Sequence, residues 1–256
     1  MKLGVIAKTA ALGALAACAA CASMGDDMAA DMTDGMADAA PDYILAAVAD
    51  PMRPEGDVFR DGRRKPAEVV AFAGVEPGMT VAELIPGNGY YTRILARAVG
   101  PEGTVYTLPF TEPRRAASEA IDGDEESYPN VELVDGALQD FALPEQVDLV
   151  WTTNNYHDVR QAAPLINRAA FNALKPGGIY FIVDHHAVSG QRDEAIGLHR
   201  IDVDLVKEQV IAAGFVLDAE SDILRNPEDD LTLQVFERDL NRNTDRFVLR
   251  FRKPAE

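Results

Sequence analysis

Thr80-Val81-Ala82-Glu83-Leu84-Ile85-Pro86-Gly87-Asn88-Gly89-Tyr90-Tyr91-Thr92 changes its period once, and that change decides the fold. Thr80 to Ile85 is a short apolar run interrupted only by Glu83, the pattern of a strand covered on both faces. From Tyr91 the apolar residues recur at Ile94, Leu95, Ala98 and Val99, one face of a helix that Gly100 and Pro101 close. Between strand and helix stand Gly87 and Gly89. Two glycines there let the backbone turn close to a ligand and open a helix whose free N–H groups favour an anion.

Working outward, Asp42 to Ala49 and Lys65 to Gly74 read as short helices upstream, the second with Pro66 suited to its first turn. Downstream, Thr104 to Leu108, Val131 to Val134, Val147 to Thr153 and Ile179 to Asp184 read as strands. A weakly helical segment near Pro113 to Ile121 separates the second strand from the third. A helical stripe at Ile166, Ala170, Ala173 and Leu174 is expected to stop at Lys175-Pro176-Gly177-Gly178, and one at Val206, Val210 and Ala213 at Gly214. Phe215 to Leu217, Leu231 to Phe236 and Phe247 to Phe251 are predicted to close the chain as strands. The last sets Phe247, Leu249 and Phe251 against Arg246, Arg250 and Arg252, so one wet face is expected. The alternation predicts an α/β fold: a doubly wound, Rossmann-like, mostly parallel seven-stranded sheet, with helices on both faces and an antiparallel strand near the C-terminus.

Of the 256 residues, the first 40 do not enter that pattern. Residues 1–22 carry Lys2, Lys8 and the apolar run Thr9 to Ala17, too short to span a bilayer, and read as an export signal. The run ends Leu15-Ala16-Ala17-Cys18, which resembles a bacterial lipobox and implies lipidation of Cys18. Ordinary cleavage after Ala20-Cys21-Ala22 is the competing reading. Both predict export, to a periplasm-facing lipoprotein or a soluble periplasmic protein, with membrane attachment only through the lipid. Residues 23–40, nearly all Ala, Asp, Met and Gly, are expected to form a flexible acidic tether. Its Met24, Met28, Met32 and Met36 read as low-complexity spacing rather than a copper site. Residues 41–256 are expected to form one domain.

Both cysteines, Cys18 and Cys21, precede that domain, so its stability rests on its core and no thiol nucleophile is available. A composition with 47% hydrophobic and 26% charged residues excludes a disordered or polytopic membrane protein. Removing the leader takes Lys2 and Lys8 and leaves 22 basic against 42 acidic side chains, a net charge of −20. A surface so acidic repels phosphate backbones, which argues against nucleic acid as partner. It leaves small or cationic partners possible, a small molecule among them, with the oligomeric state open.

In an open α/β sheet the ligand sits beyond the carboxyl ends of the strands, at the point where strand order reverses. A dinucleotide site wants a third glycine and an acid after the second strand. Here Thr92 holds the glycine position, and the second strand ends Tyr106-Thr107-Leu108. The acid on the first strand, the Gly87-Asn88-Gly89 turn, Asp148-Leu149-Val150 and Leu174-Lys175-Pro176-Gly177-Gly178, in this order and spacing, resemble the class I S-adenosylmethionine-dependent methyltransferases. Lys65 to Thr92 and Thr244 to Pro254 look like a group of predicted bacterial methyltransferases, many with export signals. The resemblance spans about residues 55–254.

It implies S-adenosylmethionine as cofactor. Glu83 and the turn Pro86-Gly87-Asn88-Gly89 would frame its methionine end, Asp135 or Asp140 would lie near its adenine, and Asn154 and Asn155 would line the sulfonium and acceptor side. Ile85 and Pro86 depart from the family pattern, which has a glycine and a small residue there, and the ribose-binding acid is missing. The reading requires Pro86 and Tyr90 to leave the concavity open.

All four histidines follow strands on the ligand side: His157 after the fourth, and His185, His186 and His199 after the fifth. Methyl transfer to oxygen or nitrogen asks the protein to orient reactants and remove a proton, work that suits histidine near neutral pH. His157 or His185 is the candidate base, with Asp158 or Asp184 to orient it. The competing reading is a metal on His157, Asp184, His185 and His186, in a non-catalytic or metal-binding module that kept the fold. Adjacent His185 and His186 point opposite ways on an extended segment, which works against it. Arg200, Arg242 and Arg246 are candidate anchors for an anionic acceptor. No Gly-x-Ser-x-Gly elbow supports a hydrolase.

Overall fold

The computed structural model describes residues 40–110 and 126–255, with 119, 121 and 124 between them. The leader, Cys18, the tether with its methionines, and most of the Pro113 to Ile121 segment lie outside the described residues.

Seven strands form one sheet: β1 (Thr80–Leu84), β2 (Thr104–Leu108), β3 (Val131–Leu133), β4 (Val147–Thr153), β5 (Leu174–His185), β6 (Val216–Ser221) and β7 (Arg246–Arg252). Their order is β3-β2-β1-β4-β5-β7-β6. β1 to β5 pair in parallel, and β7 runs antiparallel between β5 and β6. The chain winds outward from β1 through β2 to β3, then returns to β4 on the other side of β1. The reversal therefore falls between β1 and β4, whose carboxyl ends part there.

The helices are α1 (Asp42–Val48), α2 (Glu55–Val58), α3 (Asp61–Arg64), α4 (Pro66–Ala73), α5 (Tyr90–Val99), α6 (Tyr156–Val159), α7 (Ala163–Ala173) and α8 (Val203–Ala212). Alternation along the strands divides the core into two layers. Val81, Leu149, Trp151, Phe181 and Val183 pack against α1, α4 and α5 on one face. Ala82, Leu84, Val150, Tyr180 and Ile182 pack against α7 and α8 on the other. Burying each large apolar side chain contributes roughly 1.5–3 kcal/mol, so both strand faces are accounted for by helices that follow the 3.6 period.

Three expectations are corrected. Leu231 to Phe236 is not a strand: Leu231 has φ 67°, and the segment is held residue by residue. Arg200 Nε donates to the Leu233 carbonyl at 3.0 Å and Val235 N to the Leu198 carbonyl at 3.2 Å. The arginine face of β7 is not wet at its start, because the elements before β1 cover it. Arg246 is buried, and Arg250 lies over the Phe72 ring and donates to its carbonyl at 2.8 Å. Lys175 to Gly178 does not separate α7 from its strand but belongs to β5. Gly177 takes φ 79°, and the chain beyond β7 pairs there through Gly177 N to Lys253 O at 3.0 Å and Lys253 N to Gly178 O at 2.9 Å.

Candidate active site

At the reversal point β1 passes into the glycine turn. Gly87 and Gly89 have φ 64° and 76°, which a side chain would strain. A Cβ at Gly87 would enter open space, so the backbone there faces a cavity rather than protein. Ile85 also lies in the left-handed region, at φ 57°. For a β-branched residue this costs roughly 1–2 kcal/mol. Its neighbours hold it there: Ile85 N donates to the Leu108 carbonyl at 2.9 Å, Asn155 Nδ2 donates to the Ile85 carbonyl at 3.0 Å, and the side chain is buried in the core layer that also holds Ala82, Leu84 and Leu108. The turn thus keeps, at Ile85, a backbone conformation that glycine adopts freely.

Glu83 does not line the cavity. It is buried beneath α5, where Thr92 Oγ1 donates to its Oε2 at 2.5 Å. Burial pushes its carboxyl up to about 7, against the Thr92 hydrogen bond and the charges of Arg93 and Arg64. Asp135 and Asp140 are exposed and line neither of the two cavities described below.

The first cavity, about 270 Å³, is bounded by Pro86, Gly87, Asn88 and Tyr90 on one side and by Asn154, Asn155, His157 and His185 on the other. Pro86 and Tyr90 form its wall and do not fill it. Tyr90 is drawn back by a 2.6 Å hydrogen bond to Asp61 Oδ1. Asn154, at φ 56°, has a buried Oδ1 without a hydrogen-bond partner among the described residues. A second cavity of about 520 Å³ brings Phe110, beyond β2, and Gln139, beyond β3, together with residues 157–162. The two cavities share His157 and Asp158.

His157 is the best-organised side chain in the site. Asp184, fully buried at the end of β5, accepts His157 Nδ1 at 2.8 Å, His157 N at 2.7 Å and His185 N at 2.7 Å. Burial opposes the charge of Asp184, but the His157 imidazole and these hydrogen bonds together hold its carboxyl below the usual range. An ionised acceptor on Nδ1 places the neutral ring's proton there and the lone pair on Nε2, which faces Asp158 Oδ1 at 3.3 Å. His185 is a poorer base. Burial, with Arg246, His157 and Arg200 nearby, pulls it down to about 3 despite Asp184, and its Nδ1 lies 2.7 Å from Thr244 Oγ1.

The quartet His157, Asp184, His185 and His186 does not converge: Asp184 is consumed as described, and His186 turns its Nδ1 to the Ala187 carbonyl at 2.7 Å. His199 joins His157 instead. Asp158 Oδ1 lies 3.3 Å from both His157 Nε2 and His199 Nδ1, and these three are the donor group that forms among the described residues.

Of the predicted anchors, Arg242 and Arg246 line the first cavity, whereas Arg200 is buried against Asp229 at 2.9 Å and pins the loop before β7. Arg60, Arg63 and Arg64 complete the wall and escaped sequence reasoning. Their signal was a basic cluster, Arg60 to Lys65, in an otherwise acidic chain.

Residues 83–182 match a family model described as a methyltransferase domain. The fold is shared with solved structures of low identity. An S-adenosylmethionine-dependent methyltransferase from Aquifex aeolicus is 18% identical over 76% of this chain and 92% of its own, with a TM-score of 0.58. The glycopeptide N-methyltransferase MtfA, solved with S-adenosylmethionine, is 14% identical over 73% and 86%, with a TM-score of 0.54. The [4+2]-cyclase SpnF is 15% identical over 83% and 92%, with a TM-score of 0.59. One fold therefore carries different reactions, and the chemistry has to be argued from the site.

Proposed function

We propose that this chain, an enzyme with a methyltransferase domain over residues 83–182 and S-adenosylmethionine as its cofactor, methylates an oxygen or nitrogen of a small molecule or envelope component, with His157 as the base. The observation that carries the reading is the Asp184–His157 pair beside the glycine turn at the sheet's reversal point.

The residues present fit the cofactor's methionine end. The backbone at Gly87 faces open space, and the Oδ1 of Asn154, unpartnered among the described residues, offers an acceptor to a cationic or N–H group. Pro86, Gly87, Asn88 and Asn154 would hold that end, while Phe110 and Gln139 line the cavity into which the nucleoside would extend. When bound, S-adenosylmethionine supplies an electrophilic methyl group on a sulfonium and departs as a neutral thioether. His157 takes the proton that the acceptor's O–H or N–H loses as its lone pair bonds to the methyl. Asp184 fixes the ring so that Nε2 rather than Nδ1 meets that proton. Such positioned proton transfer is worth roughly 10²–10⁴ in rate.

The direct test is calorimetric titration of the full chain with S-adenosylmethionine and S-adenosylhomocysteine, with affinity expected on the order of micromolar. No heat of binding from either ligand would remove the reading. One observation favours a second reading as a metal-binding module: the convergence of His157, Asp158 and His199. Elemental analysis of the purified chain decides it, since a stoichiometric ion lost in His199→Ala is required.

The export reading of Met1 to Ala22 is part of the proposal and rests on the Lys2–Lys8 charge, the apolar run and Leu15-Ala16-Ala17-Cys18. An exported enzyme needs its cofactor delivered, because a charged sulfonium does not cross a bilayer unaided.

A further inference from the structure

Among the described residues, five arginines line the first cavity, Arg60, Arg63, Arg64, Arg242 and Arg246, against a single carboxylate, Asp158. Asp158 is directed at His157 and His199. Arg60 is neutralised by Asp57. None of the other four has a carboxylate within ion-pair distance among the described residues. In a chain with a net charge of −18, such a concentration of unpaired guanidinium groups in one hollow runs against the composition.

Arg246 is the most telling. It is 4% exposed, and among the described residues its Nε is buried without a hydrogen-bond partner while its Nη2 donates to the Arg63 carbonyl. Burial pulls its guanidinium down to about 10, and Arg64 and Arg63 oppose its charge further, against the partial compensation of Tyr91 and Tyr90. Arg64 is lowered chiefly by burial, with its guanidinium 4.4 Å from the Tyr90 ring centroid. Arg63 is lowered by burial and by the charges of Arg60 and Arg242. Arg246 is buried and Arg63 and Arg64 are half-buried; guanidinium groups withdrawn from water without carboxylate partners carry a desolvation cost that an anion from outside would offset.

We infer that this cavity docks the anionic group of the methyl acceptor, a carboxylate or phosphate, on the guanidinium groups of Arg63, Arg64, Arg242 and Arg246, beside His157. The inference deepens the methyltransferase reading and rests on it. Placement favours the acceptor over the cofactor's own carboxylate as the source of the charge. Arg246 opens β7 and is in register with His185 at the end of β5, so in sheet order β4 and β5 lie between it and β1, and it borders the cavity on the His185 side, across from the glycine turn. Planar forks converging from two directions, the elements before β1 and the start of β7, suit bidentate contacts to oxyanions.

The test uses the full chain with two probes, inorganic phosphate and malonate, and with S-adenosylhomocysteine, each titrated alone and in the presence of the other ligand. The expected result is saturable binding of at least one anion. That binding should weaken about tenfold or more in Arg242→Gln or Arg246→Gln, as the loss of one charge-assisted hydrogen bond requires, with S-adenosylhomocysteine affinity unchanged. Circular dichroism establishes that each variant is folded, and the exposed Arg242 keeps the test open if Arg246→Gln is not. Absence of saturable anion binding overturns the inference. So does competition between the anion and S-adenosylhomocysteine with both weakened by the substitutions, because the arginines would then hold the cofactor's carboxylate. Anion binding without any S-adenosylhomocysteine binding overturns the methyltransferase reading and leaves the anion site standing.

Discussion

Glu83→Gln should make the protein's stability less sensitive to pH, in a direction opposite to that of most carboxylates. Glu83 is 2% exposed, with its Oε2 bonded to Thr92 Oγ1. Burial raises its carboxyl from 4.5 in the unfolded chain to about 7 in the folded one. Between those values the folded state holds a proton that the unfolded state releases. The slope of unfolding free energy with pH is therefore negative, and the wild type loses stability as pH rises through that window. At 1.36 kcal/mol per unit, the shift corresponds to roughly 3 kcal/mol across the full range.

Glutamine keeps the acceptor for Thr92 and cannot ionise. Urea denaturation of wild type and variant from about pH 4 to about pH 8 isolates this group, because all other titrations cancel in the difference. The variant should gain on the wild type steadily as pH rises, and be the more stable of the two above neutrality. A pH-independent difference, or a wild type that gains on the variant with rising pH, would refute burial as the dominant influence on Glu83.

Asp184→Asn cannot satisfy its three donors, two from His157 and one from His185. It should cost about 1–3 kcal/mol for the donor left unpaired and reduce methyl transfer by roughly 10²–10⁴. Denaturation and single-turnover rates read the two effects, and unchanged turnover would remove His157 from its role. Ile85→Gly relieves roughly 1–2 kcal/mol of left-handed strain but deletes a buried side chain worth about 2–5 kcal/mol. The variant should be net destabilised in the same assay, and a gain in stability would mean that the strain outweighs the packing. Mass spectrometry of the natively expressed chain should find acyl groups on an N-terminal Cys18. An unmodified terminus at Ser23 would instead identify cleavage after Ala22, and an intact Met1 would remove export altogether.

Periodicity read the fold well where burial is uniform. β1, β4 and the helices after them were legible because a strand covered on both faces and an amphipathic helix leave different spacings in the chain. It failed where apolar residues are anchored singly. Leu231 to Phe236 has the composition of a strand, but Arg200, drawn inward by Asp229, binds the Leu233 carbonyl and spends the backbone that a strand would pair. The arginine alternation of β7 suggested solvent because the helices that cover it lie far away in sequence.

The site divides along the same line. Residue order alone placed Gly87, Gly89, Asn154, Asn155 and His157 at one end of one sheet, since the carboxyl ends of parallel strands must share an edge. Only tertiary structure could separate His157 from His185, because the difference lies in which ring meets the buried Asp184 carboxylate and which is desolvated against Thr244 and Arg246. Only tertiary structure, likewise, could gather Arg63 and Arg64 with Arg242 and Arg246, which lie about 180 residues apart in the chain. Local spacing encodes which backbone forms, through hydrogen bonds and apolar burial within a few residues. The electrostatics of a cavity sum over charges brought together from every element around it, and no stretch of sequence contains that sum.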